Sequence, residues 1–246
     1  MTFNVQHFHP YLTEPWDTVD VPLFAEAVKC FSPDILALNE VRGEGPHPLY
    51  TGQTAALAGE LGYNAYFAPA FVVPGSGGPA GPYGNAILSR FPLLRPETVH
   101  VPDVTDRSNG KWFEPRAVAK ADVLLPDGRT VTVLASHFGL NLSERVNAVE
   151  TVCGILREQT NPVILAGDFN DVPDAPVLEP IRALMQDTAD RMRFEELSHP
   201  SDRPNCRIDY VFCSAEWEIG FAHIPPLVLS DHRPYVADLR LPEDAR

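Results

Sequence analysis

Val163-Ile164-Leu165-Ala166-Gly167-Asp168-Phe169-Asn170-Asp171 is the stretch that decides the fold. Its four leading apolar residues predict a buried strand. Gly167 breaks the run, and Asp168 and Asn170 follow, two positions apart. In an extended chain such residues point to the same side, so a carboxylate and a carboxamide leave the strand end together. The carboxylate offers a general base or a metal ligand, and the carboxamide a donor to an anionic oxygen. Gly-Asp after a strand is also ordinary turn chemistry, so the rest of the chain must choose between the two.

Working outward, the same grammar recurs. A short strand over 2–5 carries Asn4 near its end. Asp20 caps a predicted helix with Pro22 in its first turn, Leu23, Phe24, Ala27 and Val28 on one face, and Pro33 as its stop. Ile35-Leu36-Ala37-Leu38 is a second buried strand, with Asn39-Glu40 at its end. A helix over 51–61 stops at Gly62, and strands follow over 63–68, 85–89 and 93–101. Residues 69–82, dense in proline and glycine, predict a mobile surface loop, without the Gly-Lys-Ser/Thr of a phosphate-cradling P-loop. A polar loop over 102–115 carries Lys111, Trp112 and Phe113, of which the aromatics could form a substrate wall. Strands over 118–125 and 129–136 flank Asp127-Gly128, a hairpin signal, and His137 follows directly.

Downstream, Ser143 is expected to cap a helix with Val146, Val149, Cys153 and Leu156 on one side. A helix is expected over 177–185 and a loop over 186–206. Strands follow over 208–212, with Asp209 inside, over 217–223, and over 235–241, the last preceded by Ser230-Asp231-His232-Arg233-Pro234. Strands outnumber helices about twofold, and several are joined by short turns, so antiparallel pairing is required. Two mixed β-sheets packed face to face, with helices outside, bury this many strands. No repeat, low-complexity linker or composition shift divides the 246 residues, so one domain is expected.

The charge of −14 opposes passive attraction to nucleic acid or anionic membranes. It leaves room for an enzyme that meets phosphates through a bound cation. The four cysteines form no CxxC pair and are expected to be reduced and mostly buried. Asn141-Leu142-Ser143 matches a glycosylation sequon, an accidental one if no signal peptide is present. No apolar run is long enough for a transmembrane helix, and the first residues have no signal-peptide pattern, so a cytoplasmic protein is expected.

Five strand ends thus carry polar groups: Asn4, Glu40, His137, Asp168 with Asn170, and Asp231 with His232; Asp209 adds a carboxylate within a strand. If they converge, so many acids cannot stay ionised together without a cation. Oxygen-rich ligands favour Mg²⁺ or Mn²⁺ over zinc.

The segments Thr2-Phe3-Asn4-Val5, Asp34 through Glu40, Tyr83 through Arg90, Ser136-His137-Phe138, Gly167 through Asn170, Arg207 through Phe212 and Ser230 through Pro234 together resemble the endonuclease/exonuclease/phosphatase superfamily. They stand in family order across nearly the whole chain. The resemblance implies an α/β deoxyribonuclease I-like fold, a four-layer αββα sandwich of two mixed β-sheets, and a divalent-metal-dependent hydrolase of phosphoester bonds. It implies Glu40 as main metal ligand, helped by Asn4 and Asp231, and Asp168 as the group that orients or deprotonates water. Asn170 would hold the scissile phosphate. His232, held by Asp209, would contact that phosphate or act as acid/base, with His137 on the leaving-group side. Two positions depart: Asn39 where the family often has Gln, and Asn85 where deoxyribonuclease I places the glutamate partner of the histidine matching His137. Tyr83 is expected near the phosphate, as in nuclease relatives.

With Mg²⁺ or Mn²⁺ as cofactor, a phosphodiesterase or phosphomonoesterase is the expected activity, on a small molecule, lipid head group or nucleotide, with a phosphodiesterase preferred. A DNA or RNA nuclease, including abasic-site cleavage, is the alternative; a catalytically dead binding module is a third. The basic residues form no run, and the densest cluster, Arg191, Arg193, Arg203 and Arg207, is small, which disfavours a processive duplex binder. Loops 69–82, 102–115 and 186–206 would choose the substrate, and no obligate protein partner is readable.

Overall fold

The structure, a computed structural model, describes residues 1–108, 110 and 112–242. Lys111 of the expected polar loop lies outside the described residues. Strands β1 (Thr2–Asn4), β2 (Ile35–Arg42), β3 (Asn64–Gly75) and β4 (Gly78–Ser89) form one sheet, in the order β1-β2-β4-β3. Strands β5 (Leu93–His100), β6 (Ala117–Leu124), β7 (Thr130–His137), β8 (Val163–Asp168), β9 (Gln186–Asp187) and β10 (Asp209–Cys213) form the second, in the order β5-β6-β7-β8-β10-β9. Each sheet is mixed: β1 runs parallel to β2 and β7 to β8, and the other neighbours are antiparallel. Strands β11 (Glu218–His223) and β12 (Val236–Arg240) pair separately.

Period-two alternation sorts the side chains into three apolar layers. Ala37, Ile87, Val133, Ala135, Ala166 and Val211 meet between the two sheets. Their neighbours Leu36, Leu38 and Leu88 face outward under α1 (Val21–Phe31) and α2 (Gln53–Leu61). Leu134, Leu165 and Phe212 face outward under α3 (Leu142–Glu158) and α4 (Glu179–Arg182). Small residues between the sheets and larger ones beneath the helices let both faces of each central strand be buried, which is why the sequence runs are continuously apolar. The expected four-layer sandwich is the fold observed.

Several local expectations change. Residues 69–82 are not a loop but the far half of the β3–β4 hairpin, paired out to Gly75 opposite Gly78. Strand pairing of β2 with β4 ends at Arg42 opposite Tyr83; beyond it the Gly43 and His47 N–H groups still donate to the Pro82 and Ala80 carbonyls of β4. Pro69 and Pro74 stand on β3, the edge strand of the sheet, where proline is tolerated, and register shifts occur at Pro69/Phe71 and Val73/Pro74. Residues 186–206 include β9 and α5 (Thr188–Met192). The expected 177–185 helix shortens to a 3₁₀ turn, Pro176–Leu178, followed by α4.

Helix α1 buries Val21, Phe24, Ala25 and Val28, a stripe rotated from the expected face, and leaves Leu23 exposed. Helix α3 is capped by Asn141 rather than Ser143, in a capping box in which Glu144 accepts the Asn141 backbone N–H at 3.1 Å. It buries Val149, Val152 and Cys153 while Val146 is exposed. All four cysteines are free thiols; Cys153 and Cys213 are buried, Cys206 is half-buried and Cys30 is exposed. Among the described residues, no helix is long and apolar enough to cross a membrane.

Candidate metal-assisted hydrolytic site

Strand register brings the polar ends together. Parallel pairing of β7 with β8 sets His137 beside Asp168, and antiparallel pairing of β8 with β10 sets Asp209 on its other side. In the first sheet, β1 and β2 set Asn4 beside Asn39, with Glu40 next along β2. A register irregularity between Leu38 and Val41, with Glu40 at φ 61°, turns that carboxylate out of the strand's alternation.

The end of β8 is fixed by its neighbours. Phe169 is fully buried, stacks on Phe138 at 4.3 Å and packs against Tyr210 at 5.2 Å. This anchors the chain so that Asp168 and Asn170 emerge on the other side. Gly167 lies at φ 148°, and a Cβ there would fall 1.8 Å from the Ser136 carbonyl oxygen. Asn170 takes a left-handed conformation, φ 51°; its backbone N–H donates to Asp168 Oδ1 at 2.9 Å and its amide to the Phe138 carbonyl at 2.9 Å.

Two buried carboxamides join the sheets behind the site. Asn39 donates to Asn85 Oδ1 at 2.9 Å and to the Ser136 carbonyl at 3.0 Å, and accepts the Asp168 backbone N–H at 2.9 Å. Asn85 donates to the Ala117 carbonyl at 2.8 Å. In front of them the Asn4 amide donates to Glu40 Oε1 and Asp168 Oδ2, both at 3.1 Å, while its oxygen accepts the Gln6 N–H.

The electrostatics are those of crowded acids. Burial, then the charge of Asp231, pushes the Glu40 carboxyl up from its usual range. Burial also raises Asp168, to about 7, against the pull of His232. His232 Nδ1 donates to Asp209 Oδ2 at 2.8 Å, and its Nε2 lies 3.5 Å from Asp168 Oδ2. Burial of the ring opposes its charge, but Asp209 and Asp168 outweigh it and hold the imidazolium well above the usual histidine range. Ser230 Oγ donates to Asp231 Oδ1 at 3.1 Å. All eight expected site residues therefore gather at one end of the sandwich.

Three further residues stand there that sequence reasoning passed over. Buried Arg116 lies 3.1 Å from His137 Nδ1. Arginine only donates, so Nδ1 accepts; Nε2 lies 3.1 Å from the Asn170 amide nitrogen and 3.4 Å from Asp168 Oδ2. Burial, then Arg116, keeps His137 neutral by lowering it well below its usual range. A guanidinium thus takes the place of the carboxylate partner that deoxyribonuclease I gives its histidine. His199 packs on His232, ring centroids 4.6 Å apart, and its ligand atom lies within 4.8 Å of those of Asp231 and His232. His7 Nδ1 lies 3.8 Å from Glu40 Oε2; burial, then Arg42, lowers its pKa to about 3. None of the three belongs to a recognisable motif, though His7 follows Asn4 by three residues in the first strand's own loop.

A divalent cation fits this donor set. Asp168, Asp209 and His232 also hold ligand atoms within 4.8 Å of one another. Asp209 Oδ1 is buried without a hydrogen-bond partner, and Glu40 and Asp168 stay raised despite the nearby His232 charge. Carboxylate oxygens suit Mg²⁺ or Mn²⁺, and an imidazole nitrogen among them shifts the preference toward Mn²⁺ and later transition ions.

The chain belongs to the Endonuclease/Exonuclease/phosphatase family, which it matches over residues 1–232. Among curated proteins it is similar to the uncharacterized protein YbhP of Escherichia coli strain K12, 30% identical over 167 residues, 61% of this chain and 59% of that protein. The chain thus matches about three-fifths of that relative's length. Among solved structures it is similar to an endonuclease/exonuclease/phosphatase from Beutenbergia cavernae DSM 12333, TM-score 0.75 and 27% identity, covering 98% of this chain and 70% of that one. A mannosyl-6-phosphatase of Bacteroides thetaiotaomicron VPI-5482 shares the fold, TM-score 0.76 at 17% identity, covering 97% and 98% of the two chains.

Proposed function

We propose that this chain is a divalent-cation-dependent hydrolase of phosphoester bonds, acting as a phosphodiesterase. The observation that carries the reading is the register-locked row His137–Asp168–Asp209, faced by Glu40 and closed by His232. Glu40 would hold the cation, with Asp231 beside it and Asn4 orienting the carboxylates. When bound, the cation supplies positive charge to a non-bridging phosphate oxygen and to the developing negative charge.

The remaining work falls to side chains. Asp168, in reach of a water at the phosphorus, takes its proton as the new P–O bond forms; a carboxyl raised to about 7 is a competent base near neutrality. The Asn170 amide steadies the phosphate. The His232 imidazolium, fixed by Asp209, neutralises phosphate charge opposite the nucleophile and can return a proton to the departing alkoxide. Neutral His137 and cationic Arg116 line the leaving-group side.

The site draws on residues from Asn4 to His232, which supports one catalytic unit. The charge of −14 and the absence of a basic run favour small phosphodiesters over long polynucleotides. The test is hydrolysis of bis-p-nitrophenyl phosphate. Turnover should appear with Mg²⁺ or Mn²⁺ and vanish with EDTA; cation-independent turnover would overturn the mechanism.

A further inference from the structure

We propose that His7 is a direct ligand of the cation on Glu40, making that seat a mixed nitrogen–oxygen site that prefers Mn²⁺ to Mg²⁺. The inference rests on the proposed role of Glu40. It starts from backbone strain. Gln6, His7 and Phe8 are consecutive left-handed residues, with φ of 43°, 49° and 61°. Non-glycine residues there are strained and persist only where the surroundings over-determine them.

Those surroundings are visible. Buried Gln53 donates to the His7 carbonyl at 2.8 Å and accepts the Arg42 backbone N–H at 2.8 Å, tying the turn to the far end of β2. Asn4 Oδ1 accepts the Gln6 N–H at 3.1 Å. Phe8 is fully buried and meets Phe24 edge-on at 5.2 Å. Three separate anchors hold one strained turn and with it the position of the His7 ring.

That ring is aimed at Glu40. Its Nδ1 is buried and has no hydrogen-bond partner, an arrangement that ordinarily destabilises a fold. Glu40 is placed to match: Oε1 is taken by the Asn4 amide, while Oε2 faces His7 Nδ1 at 3.8 Å. Two ligands about 2.1 Å from one ion lie roughly 3–4 Å apart, so the pair can close on a single cation. Trp16 and Tyr83 flank the ring, with centroids 6.3 Å and 6.2 Å away, limiting its swing. An imidazole nitrogen in the seat favours Mn²⁺ and later transition ions over Mg²⁺.

The test uses the full chain stripped with EDTA and reloaded with Mn²⁺. Electron spin-echo envelope modulation on the wild type should show directly coordinated nitrogen, and part of that modulation should disappear in His7→Ala. Calorimetry should show Mn²⁺ binding weakened about tenfold or more in His7→Ala and Mg²⁺ binding changed less. His7→Asp, which restores an oxygen ligand, should recover Mg²⁺ binding but not the nitrogen signal. A wild-type spectrum without coordinated nitrogen overturns the assignment with no variant needed. So does His7→Ala with unchanged modulation and affinity. Glu40→Ala separates the two layers: if it alone loses the cation, His7 is excluded and the proposed function stands. If it too keeps full affinity, the reading of Glu40 itself fails.

Discussion

Asp168 is the residue where chemistry and stability conflict most openly. Burial raises its carboxyl to about 7, against about 3.9 in an unfolded chain, so the folded state holds a proton that the unfolded state has released. Stability without cation therefore falls as pH rises from about 4 to 7. His232 adds to the same slope, because a raised imidazolium stabilises below its ordinary pKa and loses that stabilisation as pH climbs through the folded value. Asp168→Asn removes the buried charge and also the base. In EDTA at pH 8, its melting temperature should exceed the wild type's by a few degrees, and the gap should close near pH 4. Turnover should drop roughly 10²–10⁴-fold. Calorimetric melts at the two pH values, with circular dichroism to verify the fold, decide it.

Arg116 makes a second residue-scale prediction. Burial and then its guanidinium hold His137 down, so Arg116→Met should leave burial in place and raise the His137 pKa partway toward the ordinary range. An NMR titration of the histidine ring protons reads this directly. An unmoved His137 would mean that burial alone sets its state.

At the scale of elements, the end of β8 is specified by one missing methyl group. Gly167 sits at φ 148° with the Ser136 carbonyl where a Cβ would go. Backbone cannot retreat as a flexible side chain can, so Gly167→Ala should force β7 and β8 apart. The expected cost is more than about 2 kcal/mol, read as a lowered denaturation midpoint, and activity should fall with it because His137 and Asp168 face each other across that pair. This element was legible in the sequence because all its signals are local: an apolar run, a glycine, and polar residues two apart. The β3–β4 ribbon was not, since Pro74 and Pro79 read as breakers until the strands are seen to extend beyond β2. Asn4, Glu40, Asp168, Asn170, Asp209, Asp231 and His232 were readable because each follows or interrupts a strand. His7, Arg116 and His199 were not, because tertiary packing alone brings them to the site.

At the scale of the whole molecule, the site exists only while two sheets keep their relative position. Glu40 and Asn4 come from one sheet, Asp168, His137 and Asp209 from the other. Between them the apolar layer is built largely of small side chains, which slide more easily than interlocked large ones. Buried carboxamides supply directional links across the gap: Asn85 to the Ala117 carbonyl, Asn4 to Asp168 Oδ2, and Asn39, whose amide and oxygen reach the Ser136 carbonyl and the Asp168 N–H. Its departure from the family's more common glutamine is thus compatible with a precise bridging length. Asn39→Ala would leave those two groups buried and unpaired, along with Asn85 Oδ1, at a cost of about 2 kcal/mol or more. That should lower the melting temperature by roughly 4–8 °C.

The bridge also sets how well a cation is held. A ligand that binds only the folded state stabilises by about 2.7 kcal/mol at a hundred times its Kd. Mn²⁺ should therefore raise the wild-type melting temperature clearly, and EDTA should reverse the rise. In Asn39→Ala the increment should shrink, because Glu40 and Asp168 are no longer held at one separation. If Mn²⁺ stabilises the variant as strongly as the wild type, the carboxylates are aligned by the outer layers and Asn39 is only a packing residue. A reduced increment in a variant that still folds would show that the amide bridge between the sheets also aligns the metal site.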